Sequence, residues 1–593
     1  MGARFRRSWW FGPLLATQQM ERAWLVMFFA VTMVLSSSLA PQAQDRDFVP
    51  LTDEVLLKPD AADWLQWGRT YDWHRFSTLD QVNRGNVHRL QLVWARGMRP
   101  GPNQNSPVVY KGVMYLDHAN NVIQALHAAT GDLIWEYRRE LPEDVGKYPL
   151  NEQGNRTRSL AIYRDKIYFL TQDAYVVALD ARTGKLVWET KTADYRTGVT
   201  HSSAPAVVNG KVISGRTCGW TTRCFIAAHD AESGKELWRF WTAALPGTPE
   251  GETWGGLPLE KRGHISPWGA PGSYDPITGL YYVGTAVPGP YPRIARHGGN
   301  PDAVPRGTPS ELFSNSTLAI NPETGKLVWY FQHLPGDDHD SDVVQERILI
   351  DTIVNPNPQW IDWINPAVLG KQEPRKIVVT LGEPGGLWAL DRQTGQFLWA
   401  SAFPQLVPEF HLSHVNPETG QVFINWDRVH KGWRTKVTIC YQNTKDWYPM
   451  SYSPVTNYLY IPWNDNCLDQ TSNLDRPDGT GPRRGTSRPG SDPNKMGNLT
   501  AVDVSTGKHV WRISQRAETF GWTLATASNL VFWGDRNRRF RALDAETGKV
   551  LWETILGDSI SNGPITYMVD GRQYIAQVVG GANTIYVFAL PAE

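Results

Sequence analysis

Seven times along the chain an alternating apolar stretch runs into a short polar turn closed by glycine, and a tryptophan follows four positions later. The copies include ALHAATGDLIW, ALDARTGKLVW, AHDAESGKELW, AINPETGKLVW, ALDRQTGQFLW, AVDVSTGKHVW and ALDAETGKVLW, with glycine and tryptophan paired as Gly131/Trp135, Gly184/Trp188, Gly234/Trp238, Gly325/Trp329, Gly395/Trp399, Gly507/Trp511 and Gly548/Trp552. Period-two alternation on both sides of an Asp/Asn-x-x-Thr-Gly turn predicts a β-hairpin in each copy, with glycine at the position that needs positive φ. A degenerate eighth copy, NVHRLQLVW, ends at Trp94. Successive tryptophans stand 41, 53, 50, 91, 70, 112 and 41 residues apart, one four-stranded sheet per interval with insertions in the longer ones. A row of such sheets buries its faces only by stacking on its neighbours, which predicts an all-β propeller with indole wedges between blades.

The first residues follow another pattern. Arg4, Arg6 and Arg7 precede an apolar run from Ala23 to Leu35 and then the small residues around Ala40 and Ala43, which reads as a secretory signal over 1–43. The run of 13 is short of the ~20 residues of a membrane span, so no stable membrane insertion is expected and residues 44–593 form the mature propeller, placed in a bacterial periplasm. Charge is balanced, with 59 Lys+Arg against 59 Asp+Glu, which argues against nucleic acid as a partner. Four cysteines cannot staple a chain of this length; Cys218 and Cys224 are placed to bridge a loop or stay free, Cys440 and Cys467 carry no assignment, and no C-x-x-C-H haem motif occurs.

Chemistry is expected in the insertions, about 242–316, 400–450 and 469–496. The last is rich in Gly, Pro, Ser and charge without periodicity and reads as a surface loop. The segment PGDDHDSD, from Pro335 to Asp342, concentrates Asp337, Asp338, Asp340 and Asp342. Four carboxylates so close repel one another, and hard oxygen donors of this kind suit calcium or a similar ion, or else abundant water.

The repeat resembles the tryptophan-docking motif of the eight-bladed propeller in the pyrroloquinoline quinone (PQQ) alcohol dehydrogenases, the methanol and ethanol dehydrogenase group, and the likeness runs from about Trp64 to Leu590. The resemblance implies an enzyme that oxidises an alcohol by hydride transfer to PQQ beside a calcium or lanthanide ion and passes electrons to a soluble cytochrome c. It places the catalytic base on Asp340, which would also bind metal. Asp342 falls where lanthanide-using members carry an additional ligand. Cofactor contacts fall on Gln104, Arg158, Ser202, Trp268 as the aromatic floor, and Asp446.

Several family positions differ. The vicinal cysteine pair is absent from LNEQGNRTRS, Gln104 replaces a glutamate, SGRTCGWTTRC lacks the metal-binding glutamate, Val287 falls near the metal-binding asparagine, and Glu383 replaces a basic cofactor contact. The CGWTTRC loop, with Trp220 between its cysteines, is a candidate replacement for the missing cysteine ring as a pocket cover. These departures leave a second reading open, a cofactor-free propeller serving as a binding or assembly scaffold.

Overall fold

The computed structural model describes residues 48–148, 150, 156, 158–440 and 445–592; the signal expected over 1–43 lies outside them. Each repeat folds as its composition demands. In the turn after Tyr175–Asp180, Asp180 accepts from the backbone N and the hydroxyl of Thr183, both at 2.9 Å, and Gly184 N donates to the Asp180 carbonyl at 2.9 Å. Asp391/Thr394 and Asp544/Thr547 repeat that arrangement. A register shift just before the tryptophan then turns the indole to a fixed face of the second strand.

Among the described residues these hairpins assemble into eight sheets of four or five strands, in sequence order from Val108–Tyr110 to Thr584–Ala589. One sheet closes the chain on itself: Gln91–Gly97 pairs antiparallel with Thr584–Ala589, with Gln91 opposite Ala589, so Trp94 sits on a strand borrowed by the last blade. Phe76–Ser77 adds a second early strand, parallel, beside Ala525 and Thr526.

The indoles dock where the spacing places them. Trp135 lies against Gly184, where an added Cβ would come within 2.4 Å of the ring, and its Nε1 donates to the Ala181 carbonyl at 3.0 Å. Trp94 meets Gly131, Trp188 meets Gly234, Trp238 meets Gly325, Trp329 meets Gly395 and Trp511 meets Gly548 in the same way. The series breaks at the longest interval. Gly507 faces Ile361 instead of Trp399, and the short strand Trp363–Ile364 pairs over Trp399–Ala400, so Trp399 is fully buried within its own blade.

The segment 469–496 corrects the surface-loop expectation. Asn466–Ser472 pairs with Thr480–Ser487 and with Lys436–Cys440 in a three-stranded sheet. Cys440 stands opposite Cys467 in that ladder and is disulfide-bonded to it. Most of Thr480–Ser487 is exposed or half-buried, so no apolar alternation marks it; ladder hydrogen bonds and the disulfide hold it. No helix of the described residues is long and apolar enough to cross a membrane.

Candidate active site

The acidic loop resolves its repulsion by sorting its four carboxylates. Asp337 is buried and accepts from the backbone N of His339 and of Ser341, both at 3.0 Å, and stands 3.0 Å from His411 Nε2. Asp338 accepts from the backbone N of Arg293 and of His430, both at 2.5 Å. These two brace the loop. Asp340 and Asp342 instead line a cavity of about 200 Å³, far more than one water requires. Asp340 holds φ near +70°, a left-handed conformation uncommon for a non-glycine residue and maintained here by the braces on either side.

Asp342 accepts from Trp268 Nε1 at 2.5 Å and from Val287 N at 3.0 Å. Asp340 pairs with Arg483 Nη1 at 2.7 Å, a guanidinium supplied by Thr480–Ser487 that also stacks over Tyr291 at 5.0 Å. Opposite stand Glu383 and Asp446, hydrogen-bonded carboxyl to carboxyl. Burial, reinforced by mutual repulsion, pushes the carboxyls of Asp342, Glu383 and Asp446 above their ordinary range. Asp446 Oδ1 accepts from Trp447 N at 2.6 Å, and its carbonyl accepts from Nζ of Lys445 at 3.4 Å, a fully buried lysine 3.1 Å from Glu346 Oε1.

Every residue expected at the site has a place. Ser202 lines the cavity with its hydroxyl 2.6 Å from that of Thr217, and Trp268 and Asp446 line it too. Arg158 is not among the lining residues but packs directly against them. Its buried guanidinium lies over the ring of Trp268 at 4.7 Å and that of Trp447 at 5.8 Å, its Nη1 donates to the Ser202 carbonyl, and desolvation pushes its pKa down to about 9. Arg156, two residues earlier, lines the cavity instead. Gln104 is likewise not among the lining residues; its Oε1 is buried without a hydrogen-bond partner.

Trp220, His264, Tyr291, Glu383 and Trp447 also line the cavity. The Cys218–Cys224 disulfide closes the loop that carries Trp220, and that indole lines this pocket. His264 and Tyr291 come from the 242–316 insertion, where no repeat marks them, and Tyr291 packs against Trp220 at 4.9 Å. Arg483 lies in a stretch whose polar composition concealed its strands.

The lining fits a planar quinone and a cation on chemical grounds. Indoles offer flat apolar faces, and oxygen donors clustered out of water need a positive charge that Arg483 alone does not supply. The glutamate, asparagine and vicinal cysteines usual in the family are absent, so Asp340, Asp342, Glu383 and Asp446 are the carboxylates available for the ion.

Comparison with known proteins agrees with this chemistry. The PQQ family model, described as glucose/ethanol/alcohol dehydrogenase, β-propeller domain, matches residues 64–401 and 495–575. The chain is 31% identical over 591 residues to the quinoprotein alcohol dehydrogenase PedH of Pseudomonas putida, covering 94% of this chain and 92% of that one. Among solved structures it is similar to quinohemoprotein alcohol dehydrogenase ADHIIG from Pseudomonas putida, with 28% identity, a TM-score of 0.79 and coverage of 92% of this chain and 84% of that one. It is similar also to a europium-containing methanol dehydrogenase, at 27% identity and a TM-score of 0.77 over 91% of this chain and 100% of that one. The chain belongs to the quinoprotein, PQQ-dependent alcohol dehydrogenase family.

Proposed function

We propose that the protein is an exported quinoprotein that oxidises an alcohol at the cavity of Asp340 and Asp342 and hands electrons to a separate cytochrome c. The observation that carries this reading is the convergence of Asp340 and Asp342 on one cavity beside Trp268. When bound, PQQ supplies a two-electron acceptor and the ion a Lewis acid for its carbonyl. Asp340 takes the hydroxyl proton of the alcohol on its carboxylate. Asp342, oriented by Trp268 Nε1 and Val287 N, would hold the cation together with Asp340, and Glu383 and Asp446 would be further sources of oxygen ligands. Trp268 would offer the ring a flat aromatic face, and Ser202 and Thr217, which line the same cavity, would offer it hydroxyls.

Export is supported by the Arg4–Arg7 and Ala23–Leu35 pattern and by two disulfides, which persist in an oxidising compartment such as the periplasm. The single mature propeller is taken to begin near residue 44. A separate cytochrome c is inferred because the sequence contains no C-x-x-C-H. The europium-containing relative supports a lanthanide as one choice of ion.

The test is reconstitution. Apoprotein mixed with PQQ and either calcium or a light lanthanide is desalted, then assayed for retained quinone absorbance and for dye reduction with primary alcohols. Retention with turnover supports the reading. Retention without turnover removes Asp340 as base, and no retention with either ion returns the chain to the scaffold reading.

A further inference from the structure

Next to the wall of the alcohol-oxidising cavity lies an arginine that no carboxylate of the described residues contacts. Arg216 joins the strand Lys211–Ser214 to the short strand Thr217–Cys218, which pairs with Val199–Thr200. Its neighbour Thr217 lines the cavity, as does Ser202, whereas Arg216 is not a lining residue and is fully buried. Arg216 Nη1 donates to the Ser214 carbonyl at 2.6 Å and to the Ser214 hydroxyl at 3.3 Å. Its Nε and Nη2 find no acceptor among the described residues.

Those two nitrogens form one edge of the guanidinium. Their N–H bonds leave a rigid plane side by side in the same direction, and this is the edge by which arginine grips an anion through two parallel hydrogen bonds. The local charge is unbalanced in the same sense. Arg216 and Arg239 both lie over the Phe225 ring, with Cζ 4.1 and 3.8 Å from its centroid. Glu236 is the one carboxylate of the described residues whose charge acts on Arg216. It is already engaged by Arg239, which donates to it from Nε at 3.1 Å and from Nη2 at 2.7 Å. Two guanidiniums therefore share a single carboxylate. Desolvation pushes the Arg216 pKa down to about 9, which leaves the group charged near neutrality. The other titratable groups that feel its charge, His201 and His229, are buried imidazoles and offer no negative charge.

We propose that Arg216 is the principal ligand of an internal site for a small monovalent anion of the halide class, held on Nε and Nη2 and distinct from the cation of the alcohol-oxidising cavity. A buried charge is stabilised by a paired charge, and a water molecule would accept the two hydrogen bonds without supplying one. A halide accepts both N–H bonds with one atom, whereas an oxyanion would bring further oxygens into the interior that need donors of their own. The bound ion would brace the Val199–Thr200 and Thr217–Cys218 ladder from behind. It would thereby hold Ser202 and Thr217, whose hydroxyls stand 2.6 Å apart, in the cavity wall.

The test uses the full chain without PQQ or added metal. Thermal unfolding is followed as sodium chloride replaces sodium gluconate at constant ionic strength, after exhaustive dialysis against gluconate. The midpoint should rise with chloride and level off, because a ligand that binds the native state alone stabilises it by mass action. Arg216→Gln should abolish that rise, and Arg138→Gln, at an exposed arginine, should keep it. A midpoint indifferent to chloride overturns the proposal, as does a chloride-dependent rise that Arg216→Gln retains. Should Arg216→Gln fail to fold, wild-type crystals grown in sodium bromide decide: an anomalous peak in hydrogen-bonding contact with Arg216 Nε and Nη2 supports the site, and ordered water there without anomalous signal rejects it.

Discussion

Arg483 Nη1 lies 2.7 Å from Asp340 Oδ2, so a side chain from the Thr480–Ser487 strand supplies positive charge to the carboxylate assigned as catalytic base. A guanidinium there occupies part of the electrostatic role of a bound cation and competes with it. Arg483→Gln is therefore expected to tighten calcium or lanthanide binding about 10-fold, an effect of roughly 1.4 kcal/mol that partial exposure of the pair keeps modest. Calorimetric titration of the apoprotein reads it. Weaker binding in the variant would mean that Arg483 chiefly orders Asp340.

Asp340 and Asp342 divide base and ligand roles in the proposed mechanism, which separate substitutions distinguish. Asp340→Asn removes the proton acceptor while keeping the shape of the side chain. Turnover should fall by at least about 10²-fold with the thermal transition unchanged. Asp342→Ala removes an oxygen donor held by Trp268 and Val287, and it should weaken lanthanide-dependent activity more than calcium-dependent activity. Equal activity with both ions in that variant rejects a lanthanide-specific role for Asp342.

Cation binding should also be linked to protons. Burial holds the carboxyls of Asp342, Glu383 and Asp446 above their ordinary range, so these groups retain protons that an incoming cation must displace. Affinity should rise with pH, by up to about 10-fold per unit for each proton released. Calorimetry in buffers of different ionisation enthalpy counts those protons. A pH-independent affinity would show that the ion leaves the protonated pair untouched.

The sequence made the architecture legible because a repeated steric demand leaves a repeated pattern. The Gly184–Trp135 contact requires both residues, so it recurs at Gly131, Gly234, Gly325, Gly395 and Gly548 and fails only where Gly507 meets Ile361. Asp340, Asp342, Ser202, Trp268 and Asp446 were readable as cavity residues because family motifs mark them, and Trp220 because two cysteines flank it. Arg483 and Tyr291 were not. Tyr291 reaches the cavity and Arg483 reaches Asp340 through tertiary pairing of an insertion, and neither sits in an apolar alternation. The stacking of Arg158 on Trp268 and Trp447 was hidden for a related reason: a strand-edge arginine and one packed against two indoles look alike in sequence.

The docking contacts predict a large stability effect at one atom. Gly184 has φ near +68°, and an added Cβ would lie 2.4 Å from Trp135 Cε3, closer than van der Waals contact allows. Gly184→Ala combines left-handed strain with displacement of the indole and should cost about 2–4 kcal/mol. Gly279, also at positive φ but with open space around it, isolates the backbone term, and Gly279→Ala should cost about 1 kcal/mol. Equal losses in chemical denaturation would mean that the indole contact adds nothing.

Acid should destabilise the fold through buried imidazoles. Burial pushes the folded-state pKa of His118 and of His229 down to about 4, and Arg216 adds to the effect at His229. Between pH 6.5 and 4 the unfolded chain takes up these protons while the native state refuses them, so stability falls as pH falls through that window. Each histidine contributes up to about 3 kcal/mol, at 1.36 kcal/mol per unit. Asp63 acts in the opposite sense, because burial raises it to about 6 and its ionisation removes stability as pH rises from 4 to 6. Comparing variants cancels that contribution. His229→Gln should reduce the slope of unfolding free energy against pH by about one proton over this window, and parallel curves for variant and wild type would exclude His229 as a source of acid sensitivity.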